Sequence, residues 1–265
     1  MQILFYILLF ILGACFGSFL CCQARRLHYR ATHSSKSKLN QRSICMHCKY
    51  QLKWYDNIPI ISWLCLRGRC RKCKTKIGLA EILSELGLAL AFLLVSTSIN
   101  PLTADPWQWV LFIIMLIFIL NIGFLAIYDG IYGELPTKYL VTAIVIASIY
   151  VVIKIVSTTI QSGFAPNLIT DPLFSVLILG GIYLILYLIS KGKWVGDGDW
   201  LLGTALALVL FYPFTALVAL FLANLLASLI MAPSAILRKN HHIHFGPFLS
   251  LAFILAPFVA NLIIV

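Results

Sequence analysis

Charged residues are scarce in this chain, and acidic residues are the scarcest of them. Only 11% of the 265 residues are charged, with nine Asp and Glu against twenty Lys and Arg. Hydrophobic residues make up 61% of the chain, whereas soluble globular domains have about 45–50% apolar and about 25% charged residues. This shortage of charge excludes an ordinary soluble domain and predicts an all-α integral membrane protein.

Apolar segments of the length that crosses a bilayer, about twenty residues, recur along the whole chain. The first of them lacks the basic residues before it and the small-residue cleavage site after it that mark a signal peptide, so we expect it to be retained as a helix. The segments predict a polytopic bundle of about eight transmembrane helices, with seven or nine as alternatives, at 2–22, 82–99, 107–128, 138–158, 173–190, 200–213, 213–232 and 245–264.

Basic residues are concentrated in one polar stretch that follows the first helix. Fourteen of the twenty Lys and Arg lie between Arg25 and Lys76, where Asp56 is the only acid. Since cytoplasmic loops carry the excess of Lys and Arg, we place this loop and the turns near 129–138 and 191–199 in the cytoplasm. Anionic lipids account for the basic charge, so no nucleic-acid partner is expected. The predicted organisation is a first helix over 1–24, the basic loop over 25–78 and a helical bundle over 79–265.

Two CxxC pairs within the basic loop have the spacing of a metal site. Cys45 and Cys48 form the first pair, Cys70 and Cys73 the second, and 21 residues separate the pairs. Four thiolates on two tight turns complete a tetrahedral site, which Zn²⁺ usually occupies. Disulfides are rare in the cytoplasm, and so short a polar loop has too small a core to fold without a metal. We predict a zinc-ribbon-like loop with a structural Zn²⁺; a redox dithiol pair is the alternative.

Four of the nine carboxylates lie in or beside two short clusters where apolar segments end or begin. Asp129 and Glu134 belong to the first cluster, and Asp197 and Asp199 belong to Gly196-Asp197-Gly198-Asp199. Acids in membrane segments are functional candidates by default, because they are costly to bury. Two adjacent carboxylates from separate helices share a proton, so one accepts a proton from water while the other donates to a carbonyl oxygen. The pattern therefore predicts an aspartate pair, Asp129 and Asp199, that hydrolyses a peptide bond.

Each of these two aspartates also has a simpler interpretation, as a helix cap or as the partner of a lysine such as Lys138 or Lys193. Asp197 is expected to point away from Asp199, because neighbouring side chains diverge. The histidines that precede the last apolar segment, His241, His242 and His244, are interpreted as solvated interfacial residues rather than as a second metal site.

Taken together, these motifs resemble those of the type IV prepilin peptidases, the leader peptidases and N-methyltransferases of pilus, type II secretion and competence systems. Glu85 lies where that family has an acid after its cysteine loop, whereas Leu201 replaces a lysine that usually follows the GxGD aspartate. The segments that carry the resemblance are Gly17-Ser18-Phe19-Leu20, Trp54-Tyr55-Asp56-Asn57-Ile58-Pro59, Ser62-Trp63, Arg67-Gly68-Arg69-Cys70, Leu135-Pro136 after Asp129, the GxGD run ending at Asp199, and Phe245-Gly246-Pro247-Phe248.

The resemblance implies that Asp129 and Asp199 are the catalytic pair, with Asp199 in the GxGD position. It implies cleavage of the basic leader of a type IV prepilin or pseudopilin after a glycine, at the cytoplasmic face of the bacterial inner membrane. It also implies methylation of the new N-terminal residue with S-adenosylmethionine, although the chain has no nucleotide-binding fingerprint that locates this cofactor. The alternatives are a presenilin-like GxGD intramembrane protease and a non-enzymatic, ion-coupled membrane transporter or scaffold.

Overall fold

The computed structural model describes six stretches of the chain, at residues 2–32, 44–45, 47–97, 103–192, 195–237 and 244–264. Within these stretches the regular structure is helical, and the only β pairing consists of two isolated bridges. The chain divides into two compact units, Met1–Leu102 and Thr103–Val265. The prediction of an all-α membrane protein with a four-cysteine loop is confirmed.

Seven stretches of the described residues are long and apolar enough to cross a membrane. They are α1, α3, α4, α5, the continuous stretch Asn167–Ser190, α9 and α10. The helices are α1 (Gln2–Thr32), α2 (Ile61–Cys65), α3 (Leu79–Ser96), α4 (Pro106–Tyr132), α5 (Thr137–Ser162), α6 (Asn167–Val176), α7 (Ile182–Ser190), α8 (Asp197–Leu210), α9 (Pro213–Leu237) and α10 (Gly246–Ile264), with a 3₁₀-helix at Trp54–Asn57 and a π-helical turn at Leu177–Gly181.

The predicted span at 200–213 forms α8, which is too short to cross a bilayer. α8 has 14 residues, so at about 1.5 Å per residue it is about 21 Å long, against about 30 Å of hydrocarbon. It ends because Phe211 adopts a φ of 69°, and α9 begins two residues later at Pro213. The prediction of a helix in this apolar run is correct, but the turn at Phe211 ends the helix before it is long enough to span the membrane.

In the first unit, α1 and α3 pack with their backbones almost in contact. A Cβ atom on Gly13 would lie 2.6 Å from the carbonyl oxygen of Leu88, and one on Gly17 would lie 2.4 Å from that of Ser84. Glycines four residues apart allow this approach between membrane helices. α1 continues to Thr32, beyond residue 24 where the predicted first helix ends. The first unit is therefore built on a close helix pair that extends into the basic stretch.

In the second unit, α8 lies in the core. Nine of its 14 residues are buried, and the π-helical turn packs against it through another close glycine contact. A Cβ atom on Gly180 would lie 2.4 Å from Oγ1 of Thr204. At the C-terminal end of α8 the hydroxyl of Ser175 donates to the carbonyl oxygen of Phe211 at 2.8 Å. These contacts fix the position of a short helix whose first turn carries Asp199.

Candidate active site and metal centre

Asp129 lies in the last turn of α4 and is buried, with 5% of its surface exposed. Its Oδ2 accepts a hydrogen bond of 2.9 Å from the backbone N–H of Gly246, at the start of α10. α4 ends three residues later, because Gly133 adopts a φ of 73° and its N–H bonds to the carbonyl oxygen of Asp129 at 2.8 Å. The carboxylate is thus held by a residue 117 positions away in the chain.

Asp199 lies in the first turn of α8 and is also buried, with 8% of its surface exposed. Its Oδ2 accepts a hydrogen bond of 2.9 Å from the N–H of Gly196, so it caps its own helix, as the simpler interpretation holds. Asp197 is exposed, in agreement with the expectation that its side chain points away from Asp199. Among the described residues neither Asp129 nor Asp199 forms an ion pair with Lys or Arg.

The two aspartates belong to segments that pack on each other. A Cβ atom on Gly198 would lie 2.7 Å from the Cβ of Leu135, so only a glycine allows the GxGD segment this close to the Leu135-Pro136 turn. α10 packs against both α4 and α8. The segments that carry the two buried carboxylates therefore pack together, and each carboxylate is oriented by a backbone N–H.

Two further side chains at this site were not identified from the sequence. The ring of His244 packs against the positive-φ glycine that ends α4, and its Nδ1 is buried without a partner. His244 is thus half-buried rather than fully solvated; His241 and His242 lie outside the described residues. The ring centroid of Tyr183 lies 5.4 Å from that of Phe245, which directly precedes Gly246, and its hydroxyl accepts a hydrogen bond of 3.1 Å from Asn224.

Gly246 gives a direct test of the close packing around Asp129. We expect Gly246→Ala to reduce peptide cleavage by about a hundredfold, since an ångström of misplacement in a catalytic group has an effect of that order. The added Cβ would lie 2.9 Å from Oδ2 of Asp129. A steady-state cleavage assay in detergent measures the effect. Gly130→Ala is the matched control, because its Cβ meets only Cγ of Pro247 at 3.5 Å; equal activities in both variants would contradict this packing.

The four cysteines of the two CxxC pairs converge on one point. Their Sγ atoms all lie within 4.8 Å of one another, with Cys45 and Cys73 at 3.8 Å and Cys48 and Cys70 at 4.0 Å. A tetrahedral site with Zn–S bonds of about 2.3 Å requires sulfur separations of about 3.8 Å. The donor set and its spacing therefore fit a tetrahedral thiolate-bound metal, and the convergence of the four cysteines is confirmed.

Each pair sits on the same kind of turn. The residue after each second cysteine, Lys49 or Lys74, has a positive φ and donates its N–H to the carbonyl oxygen of the first cysteine, at 2.9 and 3.0 Å respectively. Isolated β-bridges flank the turns. Thr75 lowers the pKa of Cys73 to about 5, whereas the neighbouring thiols raise the pKa of Cys48 to about 11. The four thiols therefore titrate as one coupled set, and it is their thiolate form that binds metal.

Two buried acids attach the loop that carries these turns. Asp56 accepts hydrogen bonds from the N–H of Lys53 at 3.1 Å and from the Nε–H of Arg71 at 2.7 Å. The bond to Asp56 raises the pKa of Arg71. Glu85 of α3 accepts from the N–H of Ile60 at 2.7 Å. Ile60 has a φ of 63°, a strained conformation for a β-branched residue. Glu85 therefore anchors the loop to α3 at a strained residue.

The structure thus defines a class, a multi-pass membrane protein with a metal-compatible four-cysteine loop and two buried aspartates at helix ends. Comparison with known proteins narrows this class. Residues 11–99 match the family model described as Bacterial Peptidase A24 N-terminal domain. A protein of Myxococcus xanthus named prepilin leader peptidase/N-methyltransferase is 43% identical over 89 residues. The resemblance to the prepilin peptidases is confirmed.

The similarity is uneven along the chain. The Myxococcus alignment covers 34% of this chain and 25% of that relative's length. Proteins of the same name from Neisseria gonorrhoeae and Aeromonas hydrophila are each 28% identical, covering 79% and 80% of this chain and 68% and 69% of their own lengths. No solved structure matches the chain significantly. The family-model match lies within the first unit, and both aspartates lie outside it.

Proposed function

We propose that this protein is an aspartic endopeptidase of the bacterial inner membrane that removes the basic leader from type IV prepilins or pseudopilins. Cleavage would follow a glycine at the cytoplasmic face, and the new N-terminal residue would then be methylated. The observation that carries the proposal is the two buried carboxylates, Asp129 and Asp199, each held by a backbone N–H and carried on segments that pack on each other. The names of the relatives support the prepilin as substrate.

The proposed chemistry uses one proton shared between the two carboxylates. The ionised aspartate takes a proton from water as the oxygen attacks the scissile carbonyl carbon, and the protonated aspartate donates to the carbonyl oxygen. Collapse of the tetrahedral intermediate breaks the C–N bond: the departing amine takes the proton from one carboxyl group, and one hydroxyl of the diol gives its proton to the other carboxylate as the new carboxylic acid forms. One proton again remains shared at the end of the cycle. Asp129 and Asp199 act as one coupled unit, so neither has a fixed role as base or acid.

The residues outside the aspartate pair have supporting roles in this proposal. Cys45, Cys48, Cys70 and Cys73 would hold a structural Zn²⁺, which supplies folding energy to the loop. S-adenosylmethionine, when bound, supplies the methyl group for the second reaction. The concentration of basic residues between Arg25 and Lys76 supports a cytoplasmic loop.

The protease proposal is favoured over an ion-coupled transporter by the position of the acids. Asp129 and Asp199 lie in the last turn of one helix and the first turn of another, whereas ion pathways need polar groups through the depth of the bilayer. The four-cysteine loop and the names of the relatives favour a prepilin peptidase over a presenilin-like protease.

The test is a reaction of the purified full-length protein with a synthetic prepilin whose leader ends in glycine. We expect mass spectrometry to find one cut after that glycine and, with S-adenosylmethionine present, a mass increase of one methyl group on the trimmed product. A substrate with the glycine replaced by leucine serves as the control. Cleavage within the transmembrane stem instead would favour the presenilin-like alternative, and no cleavage would contradict the proposal.

A further inference from the structure

The short helix α2 of the four-cysteine loop has two faces of opposite kind. Ser62 and Trp63 line a cavity within the first unit. The other face carries Ile61 and Leu64, whose exposed fractions are 59% and 57%, and Cys65, which is also exposed. Apolar side chains that are exposed as a group mark an interaction surface, so this face of α2 needs a partner.

The depth of α2 in the membrane follows from its hydrogen bond to α3. Oε2 of Glu85 accepts a bond of 2.7 Å from the N–H of Ile60, the residue before α2. α3 has 18 residues and is about 27 Å long, so it needs its whole length to cross about 30 Å of hydrocarbon. Glu85 lies six residues after Leu79, where α3 begins, which is about 9 Å along the helix. This bond therefore holds α2 at the level of the outer acyl chains.

Two neighbours of Glu85 in α3 agree with this level. Glu81 pairs with Arg25 of α1 at 2.5 Å, and charged residues belong near the polar boundary of a membrane. Leu83 is 64% exposed within a candidate membrane span, so the surface of α3 next to Glu85 faces lipid. Glu85 lies about 6 Å further along α3 than the ion pair, and interfacial helices insert their apolar face by about 5–10 Å.

Backbone hydrogen bonding around α2 also suits an apolar environment. A segment among acyl chains must satisfy its backbone groups within the protein. Ser62 and Leu64 donate their N–H groups to carbonyl oxygens four residues back, at 3.1 and 3.0 Å. The N–H of Ile60, which water would hydrate at an aqueous surface, is bonded to Glu85 instead. The start of α2 is thus satisfied without solvent.

Residues that favour lipid headgroups lie beside α2. Arg67 and Arg69 follow the helix and are exposed, and basic residues at a membrane surface attract anionic lipids. The 3₁₀-helix that packs against α2 carries Trp54, which is 79% exposed, and tryptophan is enriched at membrane interfaces. The charge beside α2 is therefore complementary to an anionic bilayer surface and would repel a basic peptide.

We propose that α2 inserts the face formed by Ile61, Leu64 and Cys65 into the acyl-chain boundary of the leaflet on the side of the four-cysteine loop. The partner of this face is lipid, and the two arginines that follow α2 meet the phosphate groups. The insertion holds the loop against the membrane surface, in addition to the bond from Glu85. It involves only the membrane spans and the loop of the first unit, so it is independent of the proposed peptidase reaction.

Photo-labelling of the full-length protein in nanodiscs tests this contact. The discs hold a single copy of the protein in phosphatidylcholine and phosphatidylglycerol, part of which carries a diazirine on its acyl chain. Mass spectrometry then maps the labelled residues. We expect labelling of Ile61–Cys65 to be within about twofold of that of Leu83, because both lie in the outer part of the hydrocarbon. Label on Leu83 with none on α2 would overturn the proposal.

Two substitutions of Leu64 separate insertion from mere proximity to lipid. Leu64→Asp should lower the label on Ile61–Cys65 at least about fivefold, because a charged side chain is costly among acyl chains, whereas Leu64→Met should keep the wild-type value. Gln51→Asp is the matched control for charge, since Gln51 is exposed in the isolated bridge with Ile44; it should leave the label unchanged. Protease resistance of the loop, measured on every variant, checks that it remains folded.

The same labelling distinguishes lipid from other occupants of α2. Equal labels in Leu64→Asp and Leu64→Met would overturn insertion. Loss of the label on Ile61–Cys65 when a prepilin is added would also overturn it, because the apolar stem of the substrate would then be the partner. A label that is unchanged by the prepilin supports the lipid contact.

Discussion

Asp129→Asn and Asp199→Asn are each expected to lower kcat/KM for leader cleavage by at least about a thousandfold. General acid–base catalysis by a positioned side chain contributes about 10²–10⁴-fold. Each carboxylate depends on the other to hold the shared proton, so the double variant should be no less active than either single variant. A continuous assay with a fluorescent prepilin peptide measures all three. Asparagine keeps the shape and leaves an acceptor for the N–H of Gly246 or Gly196, so the folds should be retained.

Asp197→Asn is the matched control for this experiment. Asp197 lies two residues before Asp199 on the same helical turn but is exposed, so its variant should cleave within about twofold of the wild type, as exposed substitutions usually have little effect. Full activity in Asp129→Asn or Asp199→Asn would exclude the pair. Loss of activity in Asp197→Asn alone would mean that the wrong aspartate of the GxGD run was chosen.

Removal of two cysteines from the tetrad is expected to have the largest structural effect. Cys45→Ser with Cys73→Ser removes one ligand from each turn. The Sγ atoms of these two cysteines are 3.8 Å apart in the folded loop. The zinc that co-purifies through gel filtration should fall from about one equivalent to none, because a structural site needs its four ligands. The loop should then become sensitive to protease, since zinc binding contributes about 10–16 kcal/mol in small zinc-dependent domains. Methyl transfer should be lost with it.

Cys65→Ser provides the comparison for the cysteine variant. Cys65 lies in α2, is exposed and does not belong to the tetrad. Its zinc content and protease resistance should match those of the wild type. Zinc retained in the double variant would place the metal elsewhere, whereas a wild type without metal but with a reversible dithiol would favour the redox alternative. Methylation that persists without the tetrad would show that the loop is dispensable for that reaction.

Features that depend on neighbouring residues in the chain were predictable. A segment that crosses a bilayer must satisfy its backbone hydrogen bonds internally, so long apolar runs were predicted to be helices. The described apolar segments are helical. The spacing of Cys45, Cys48, Cys70 and Cys73 sufficed to predict their convergence, because two tight turns present thiols in pairs. Asp129 and Asp199 were identifiable because acids are rare in apolar segments. Their pairing in catalysis stays a prediction.

Features that depend on residues far apart in the chain were not predictable. The length of α8 depends on a turn at Phe211 that hydropathy does not register. Tyr183 and His244 have no spacing signal, since only the packing of the folded chain places Tyr183 against Phe245 and His244 against Gly133. The unpaired polar atoms of Trp63 and Glu81 became visible only once the folded loop and α3 buried them.

The amino-acid sequence alone was enough to establish a membrane-embedded helical protein, the four-cysteine loop and two aspartates as candidates. Those properties follow from composition and short-range spacing, which act within a few residues. The bond between Gly246 and Asp129 and the cavity in the first unit came from the folded chain instead. Contacts between distant segments depend on how whole helices pack. A short stretch of sequence therefore does not reveal which glycine lies against another backbone, or which polar atom is buried without a partner.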